Sequence, residues 1–171
     1  MRPTQLNSSE HNSYYRQYID LVEDIPLLSA LEISKSRTQS FFRNIPNQKL
    51  EYRYAENKWT PKDILQHIID TERVFGYRAL YFSRDQSADL RGFDENQFAA
   101  NTHANTRTID DLLNEYLVVR NATVNLFNSF DDNQLKSIGM ANNSKMSVRA
   151  AGFIICGHEM HHCNIINERY L

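Results

Sequence analysis

Residues 147–170 read SVRAAGFIICGHEMHHCNIINERY, and they predict one long helix around which the rest of the chain is organised. Along this stretch one set of positions recurs at intervals of three and four, the spacing of a helix face that packs against other helices: Val148, Ala151, Ile155, His158, His162 and Ile165. His158 and His162 are one turn apart on that face, with Cβ atoms about 5–6 Å from each other. Because buried imidazoles need polar partners, this pair is a candidate for sharing one metal ion.

The length and composition of the chain are those of an ordinary globular protein. The chain has 171 residues, 41% hydrophobic and 23% charged, with a net charge of −2. This length predicts a single domain, residues 1–171, that needs neither a disulfide nor a metal to fold. Without a basic excess, nucleic acid is an unexpected partner. No leader and no apolar run of the ~18 residues of a membrane span occur, so we expect a cytoplasmic protein without membrane contact.

Three more helices are predicted upstream, over residues 26–44, 61–83 and 108–130. The second has the clearest beginning, because Thr60 and Asp63 are spaced as a capping box around a proline at the first helical position. Together with the final helix they predict an all-α four-helix bundle without strands. Residues 1–11 are polar and are expected to be a flexible tail, either disordered or loosely docked.

The connection between the second and third helices, residues 84–107, is long and rich in Asp, Asn, Ser and Gly. Long irregular connections in compact domains are often functional loops. We therefore expect this crossover to cover a pocket; a solvated connection is the alternative.

His67 is the best candidate for a third metal ligand. It lies on the second helix beside the apolar stripe, whereas His11 lies in the polar tail and His103 in the crossover. A catalytic zinc site has three protein ligands and one open position. The sequence thus predicts a metal site of His67, His158 and His162.

Three further residues are candidates for supporting such a site. Asp70, one turn beyond His67, and Glu159 could orient a ligand imidazole or move a proton. A solvated or salt-bridging carboxylate is the alternative for both. His161 lies to one side of the paired histidines and is expected at the rim.

Other interpretations of the final helix are weaker. Residues 158–162 match the HExxH signature of zinc peptidases, but only nine residues follow His162 and no downstream third ligand exists. Residues 159–162 fit one Glu-x-x-His element of di-iron bundles, which need two. The histidines could also be buried polar residues without a metal. Cys156 and Cys163 are about 10 Å apart along the helix, too far for a disulfide, and are expected to be packing residues.

Three motifs occur in the order found in the DinB-like family of metal-binding four-helix bundles: WTPKDILQHIIDTER at 59–73, GFDEN at 92–96 and GHEMHH at 157–162. The chain resembles this family over residues 15–171, and most closely its branch of metal-dependent hydrolases. The resemblance implies the ligands His67, His158 and His162, and it implies a homodimer. Some relatives are S-transferases or isomerases that use low-molecular-weight thiols.

These observations predict a mononuclear metal site that activates a thiol or water against a small-molecule substrate, as in a thiol S-transferase or a hydrolase. Three imidazoles accept several divalent transition metals, of which zinc or nickel is expected. The cosubstrate would be a low-molecular-weight thiol. The alternative is a non-catalytic, stress-related bundle in which the ion joins two helices.

Overall fold

The fold is given by a computed structural model that describes all residues from 1 to 171. In chain order the elements are α1 (Arg16–Ile19), α2 (Leu27–Arg43), α3 (Pro61–Arg84), β1 (Asp89–Leu90), α4 (Glu95–Ala100), α5 (Ile109–Asn128), α6 (Asp132–Lys136), β2 (Ile138–Ala141), β3 (Ser144–Ser147) and α7 (Val148–Arg169). The four long helices, α2, α3, α5 and α7, pack on one another as a bundle. The predicted all-α four-helix bundle with a crossover between its second and third helices is confirmed.

Local signals fix where the two site-bearing helices begin. The Thr60 hydroxyl accepts a hydrogen bond from the Asp63 N–H at 3.0 Å, and the Asp63 carboxylate accepts one from the Thr60 N–H at 2.9 Å. This is the predicted capping box of α3, and it satisfies two donors that a helix leaves free. In α7 the Ser147 hydroxyl accepts from the Ala150 N–H at 3.1 Å. Both helices begin where their caps predict.

Helix α7 is the central element of the bundle. Every residue from 148 to 159 is buried, because α1, α2 and α3 all pack against it. A helix covered on several sides has no polar face over that length, so its sequence shows a weaker amphipathic pattern than α3 or α5. No helix of the chain combines the length and apolar character that crossing a membrane requires.

The short helix α1 crosses α7 at Gly157. A Cβ atom at this position would overlap the carbonyl oxygen and carbonyl carbon of Tyr18, so only glycine allows the two backbones to approach so closely. The crossing places the Tyr18 ring beside His158 and His161, with ring centroids 5.4 and 5.3 Å apart.

For residues 1–11 the sequence left open a disordered or a loosely docked tail, and the structure has this segment docked. The segment forms short 3₁₀ turns and is docked on the bundle. Glu10 is buried and accepts a hydrogen bond from Arg149 Nε at 2.7 Å, and the Met1 carbonyl accepts one from the Leu27 N–H at 3.0 Å. The physical reason is that Arg149, on the buried part of α7, requires a carboxylate partner.

The prediction did not include strands, and the structure adds a small three-stranded sheet to the helices. The strands form a sheet in the order β1-β2-β3, in which β1 is parallel to β2 and β2 is antiparallel to β3. Asn142 and Asn143 form the β2–β3 turn with φ of 52° and 57°, the left-handed region that asparagine tolerates. Strand β1 and helix α4 lie within the crossover, which is therefore structured and attached to the sheet.

Candidate metal centre

Three histidines from two helices converge at one point in the bundle. His67 comes from α3, and His158 and His162 come from successive turns of α7. The Nε2 atom of His158 lies 3.0 Å from the Nε2 atoms of both His67 and His162. All three candidate ligand atoms lie within 4.8 Å of one another, and no Asp, Glu or Cys joins the cluster.

Hydrogen bonding alone does not satisfy this arrangement. The Nε2 of a neutral imidazole either donates one hydrogen or offers one lone pair, so His158 Nε2 cannot pair fully with both neighbours at once. Two nitrogens bound at 2.0–2.1 Å to one tetrahedral zinc ion would be roughly 3.3 Å apart. The two observed separations of 3.0 Å are close to that value, so the donor set fits a single divalent ion.

Burial keeps these imidazoles neutral. It lowers the pKa of His67 to about 4. Burial also lowers the pKa values of His158 and His162 well below their ordinary value, and the neighbouring imidazoles lower them further. At neutral pH all three rings therefore carry lone pairs that can bind a cation.

The cluster lines a cavity of about 370 Å³. Much of its remaining wall is aromatic: Tyr14, Tyr15, Tyr18, Trp59, Phe75 and Phe93. Phe93 and Glu95 come from the crossover, so this segment does border the pocket as the sequence predicts. Gly92 allows that part of the crossover to approach the sheet closely, because a Cβ there would lie 2.6 Å from the Asn142 side-chain oxygen.

The Glu159 carboxylate is bound elsewhere in the core. Its two oxygens each accept a hydrogen bond of 3.0 Å from the guanidinium of Arg120, and Oε2 also accepts one from the Tyr116 hydroxyl at 2.8 Å. Arg120 also binds Glu72, and all three charged groups are fully buried. The general base that the HExxH interpretation requires is therefore held in a structural ion network.

Asp70 and His161 also lie outside the cluster. The Asp70 carboxylate accepts a hydrogen bond from Gln66 Nε2 at 3.0 Å and borders a different recess. The His161 ring packs edge-on against His162 with centroids 5.2 Å apart, without contributing a converging nitrogen. The polar neighbour of His67 is one that the sequence analysis missed, Thr71, whose hydroxyl lies 3.5 Å from His67 Nδ1. The spacing of four residues along α3 is the signal that could have identified it.

Both cysteines are free thiols outside the cluster. Burial raises the pKa values of Cys156 and Cys163 to about 12. Buried thiols that stay protonated are inert packing groups.

A family model described as the DinB superfamily matches residues 30–166. The chain belongs to this superfamily. The match covers most of the four-helix bundle and includes all three converging histidines, so the resemblance seen in the sequence motifs is confirmed. No curated protein matches the chain significantly in sequence.

Among solved structures the chain is similar to YfiT from Bacillus subtilis, with a TM-score of 0.75 and 16% sequence identity. The similarity covers 96% of this chain and 90% of YfiT, so the two proteins share the fold over nearly their whole length. YfiT is described as a "probable metal-dependent hydrolase with an unusual four-helix bundle topology".

Proposed function

We propose that the protein is a metal-dependent enzyme in which His67, His158 and His162 hold one divalent transition metal ion at the cavity wall. The observation that carries the proposal is the convergence of three neutral imidazole nitrogens, from two helices, on a cavity of about 370 Å³. Three histidine ligands leave the fourth position of a tetrahedral ion open. The description of YfiT as metal-dependent agrees with this proposal.

The bound ion would supply Lewis acidity, which lowers the pKa of a water or a thiol. Zinc and nickel are the proposed ions because imidazole suits both. Aromatic residues of the chain pack against the ligand rings. The Trp59 ring lies against His67 with centroids 4.7 Å apart, and the Tyr18 ring lies against His158. These contacts fix the orientation of two ligand rings and exclude bulk water from one side of them.

A thiol fits this site better than water as the group to be activated. No carboxylate joins the histidines, and Glu95, the one carboxylate that lines the cavity, is exposed. A site with no base beside the cluster favours the nucleophile that ionises more easily. A thiol has an intrinsic pKa of about 8.5, against about 15.7 for water. We therefore propose transfer of a low-molecular-weight thiol to a small electrophile, with hydrolysis as the second activity to test.

The alternative is a non-catalytic role, and one feature of the structure supports it. The three histidines belong to α3 and α7, so an ion bound to them would join two helices of the bundle. In that case metal removal would lower the melting temperature, while no substrate would be turned over.

The proposed assembly is a homodimer. Three large apolar side chains near the end of α3, Tyr77, Leu80 and Tyr81, are exposed. A cluster of this kind is a candidate contact surface. Light scattering after size-exclusion chromatography would distinguish a dimer from a monomer.

To test the activity, the protein is loaded with zinc or nickel. Its metal content is verified by mass spectrometry. Conjugation of chlorodinitrobenzene by several low-molecular-weight thiols, and ester hydrolysis by water, are then measured. We expect turnover by at least one thiol, its loss in His158→Ala and its retention in His161→Ala. Fully loaded protein without any turnover would contradict catalysis and support the non-catalytic alternative.

A further inference from the structure

Arg78 differs from the other buried cationic side chains. Four Lys or Arg residues are buried: Lys62, Arg78, Arg120 and Arg149. Lys62 pairs with Glu51, Arg120 with Glu72 and Glu159, and Arg149 with Glu10. Arg78 is only 3% exposed and takes part in no salt bridge. A buried charge without a counterion is costly, so the structure leaves a demand for an anion at this place.

The surroundings of Arg78 do not meet that demand. Its guanidinium lies over the rings of Phe75 and Phe93, 4.8 and 6.0 Å from their centroids. These aromatic faces stabilise a cation and orient it, but they provide no hydrogen-bond acceptor of the strength of a carboxylate. Burial lowers the pKa of Arg78, and the neighbouring Tyr15 phenol, which is also its hydrogen-bond partner, opposes that shift in part. One phenol cannot occupy the five N–H donors of the guanidinium, and Glu95, the carboxylate that lines the same cavity, forms no salt bridge with it.

Arg78 shares its cavity and its helix face with the metal cluster. His67, Thr71, Phe75 and Arg78 follow one another along α3 at intervals of four, four and three, and all four line the same cavity. Eleven residues of helix separate the Cα atoms of His67 and Arg78 by about 16 Å along the axis. Side chains on a helix lean toward its N-terminus, so the guanidinium extends from its Cα toward the cluster.

We propose that Arg78 binds the anionic end of the small molecule that reacts at the histidine cluster. The ligand class is an elongated molecule with its reacting group at one end and a carboxylate or phosphate at the other. Both anions match the planar fork of arginine, which binds them through two parallel hydrogen bonds. This inference rests on the proposed function for the reacting end of the ligand, whereas the anion site depends on Arg78 itself.

Thiols of graded length test the distance between the histidine cluster and the anion site at Arg78. Metal-loaded protein is titrated with ω-mercaptoalkanoates, with ω-mercaptoalkyl phosphates and with uncharged ω-mercaptoalkanols of the same lengths. At an optimal length, one anionic series is expected to bind about 10- to 100-fold more tightly than the alcohol, the range of a hydrogen-bonded charge pair. The preferred series identifies the anion. Equal affinity of all three series at every length would overturn the inference.

Variants assign the effect to the guanidinium. Arg78→Met should remove the anion advantage, measured within the variant as the ratio of anion to alcohol affinity, and Arg78→Lys should restore part of it. Arg73→Met is the matched control, because Arg73 lies on the same helix, is exposed and pairs with Glu115 outside the cavity. Retention of the full advantage in Arg78→Met would overturn the inference.

Two further measurements separate Arg78 from the metal and from a structural role. Octanoate and octyl phosphate are added separately to metal-free protein, and at least one of them should shift the Nε–Hε NMR signal of Arg78. If neither shifts the signal, the anion site is overturned even if the metal site holds. Replacing an unpaired buried charge with Met should leave the melting temperature unchanged or raise it. A fall in melting temperature together with unchanged anion binding would indicate a purely structural arginine.

Discussion

Glu159 and Arg120 form a bidentate ion pair in the centre of the bundle. Each carboxylate oxygen of Glu159 lies 3.0 Å from a guanidinium nitrogen of Arg120, and both side chains are fully buried. Glu159 directly follows His158 in the sequence, yet its carboxylate is committed to this pair. The network therefore connects α5 to the helix that carries two of the three histidines, and it gives Glu159 a structural role.

Loss of Arg120 should be strongly destabilising. Arg120→Met would leave Glu72 and Glu159 buried without a counterion, and we expect the free energy of unfolding to fall by about 3–5 kcal/mol. Urea denaturation measures this. Glu159→Gln should lower stability while metal binding is retained. A Glu159→Gln variant of normal stability that binds metal but has lost turnover would instead make Glu159 a catalytic base.

Two glycines in long helices should respond in opposite directions to alanine. Gly157→Ala introduces a methyl group against the Tyr18 backbone, so we expect a loss of about 1–3 kcal/mol. At Gly76, within α3, no neighbouring side chain or element comes within 4 Å of the position that an alanine methyl group would occupy. Gly76→Ala should therefore stabilise the helix by about 0.5–1 kcal/mol. Thermal melting of the two variants checks this pair, and a tolerated Gly157→Ala would contradict the close crossing of α1 and α7.

The N-terminal segment should contribute to stability. Burial raises the pKa of Glu10, but its hydrogen bonds with Arg149 and the Asn7 backbone outweigh this and lower it overall, which indicates a favourable pair. Removal of residues 1–11 deletes the hydrogen-bond partners of the Arg149 side chain, which are Met1, Gln5 and Glu10, so we expect a cost in the free energy of unfolding. Denaturation of the truncated protein against the full chain measures this cost. Equal stability of the two proteins would mean that the docked segment is dispensable.

Metal-free protein should lose stability as the pH falls from 6.5 toward 4. An unfolded histidine titrates near pH 6.5, whereas burial lowers the pKa of His67 to about 4 in the folded protein. Between these values the unfolded state binds more protons, so protonation favours unfolding. The shift corresponds to a loss on the order of 3 kcal/mol from His67.

Urea unfolding with a chelator at several pH values tests this slope. His67→Gln, which cannot titrate, is the control and should show a shallower dependence. A free energy of unfolding that stays constant from pH 7 to pH 5 in the chelated wild type would contradict the burial of neutral imidazoles.

The features that sequence reasoning predicted are those with local signals. The capping residues Thr60 and Ser147 fix helix beginnings within three residues of chain, and the 3-4 spacing marks the faces of α3 and α7. The convergence of His67 with His158 and His162 followed from two such faces, because each histidine lies on or beside an apolar stripe.

The features that were missed depend on distant parts of the chain. Glu10 and Arg149 are 139 residues apart, so nothing near Glu10 indicates that residues 1–11 dock. Strands β1 to β3 have only two to four residues, too few for an alternating pattern to be recognised. Arg78 and Arg120 resemble surface residues in sequence. Only the packed bundle shows that both are buried, that Arg120 forms salt bridges and that Arg78 forms none.

The metal content of purified variants tests the central claim most directly. Wild-type protein and the variants His67→Ala, His158→Ala, His162→Ala and His161→Ala would be reconstituted with zinc or nickel, dialysed and measured by mass spectrometry. We predict one ion per chain in the wild type and in His161→Ala, and loss of at least 100-fold in affinity in each of the other three. Undiminished metal binding by His67→Ala would contradict a site shared between α3 and α7.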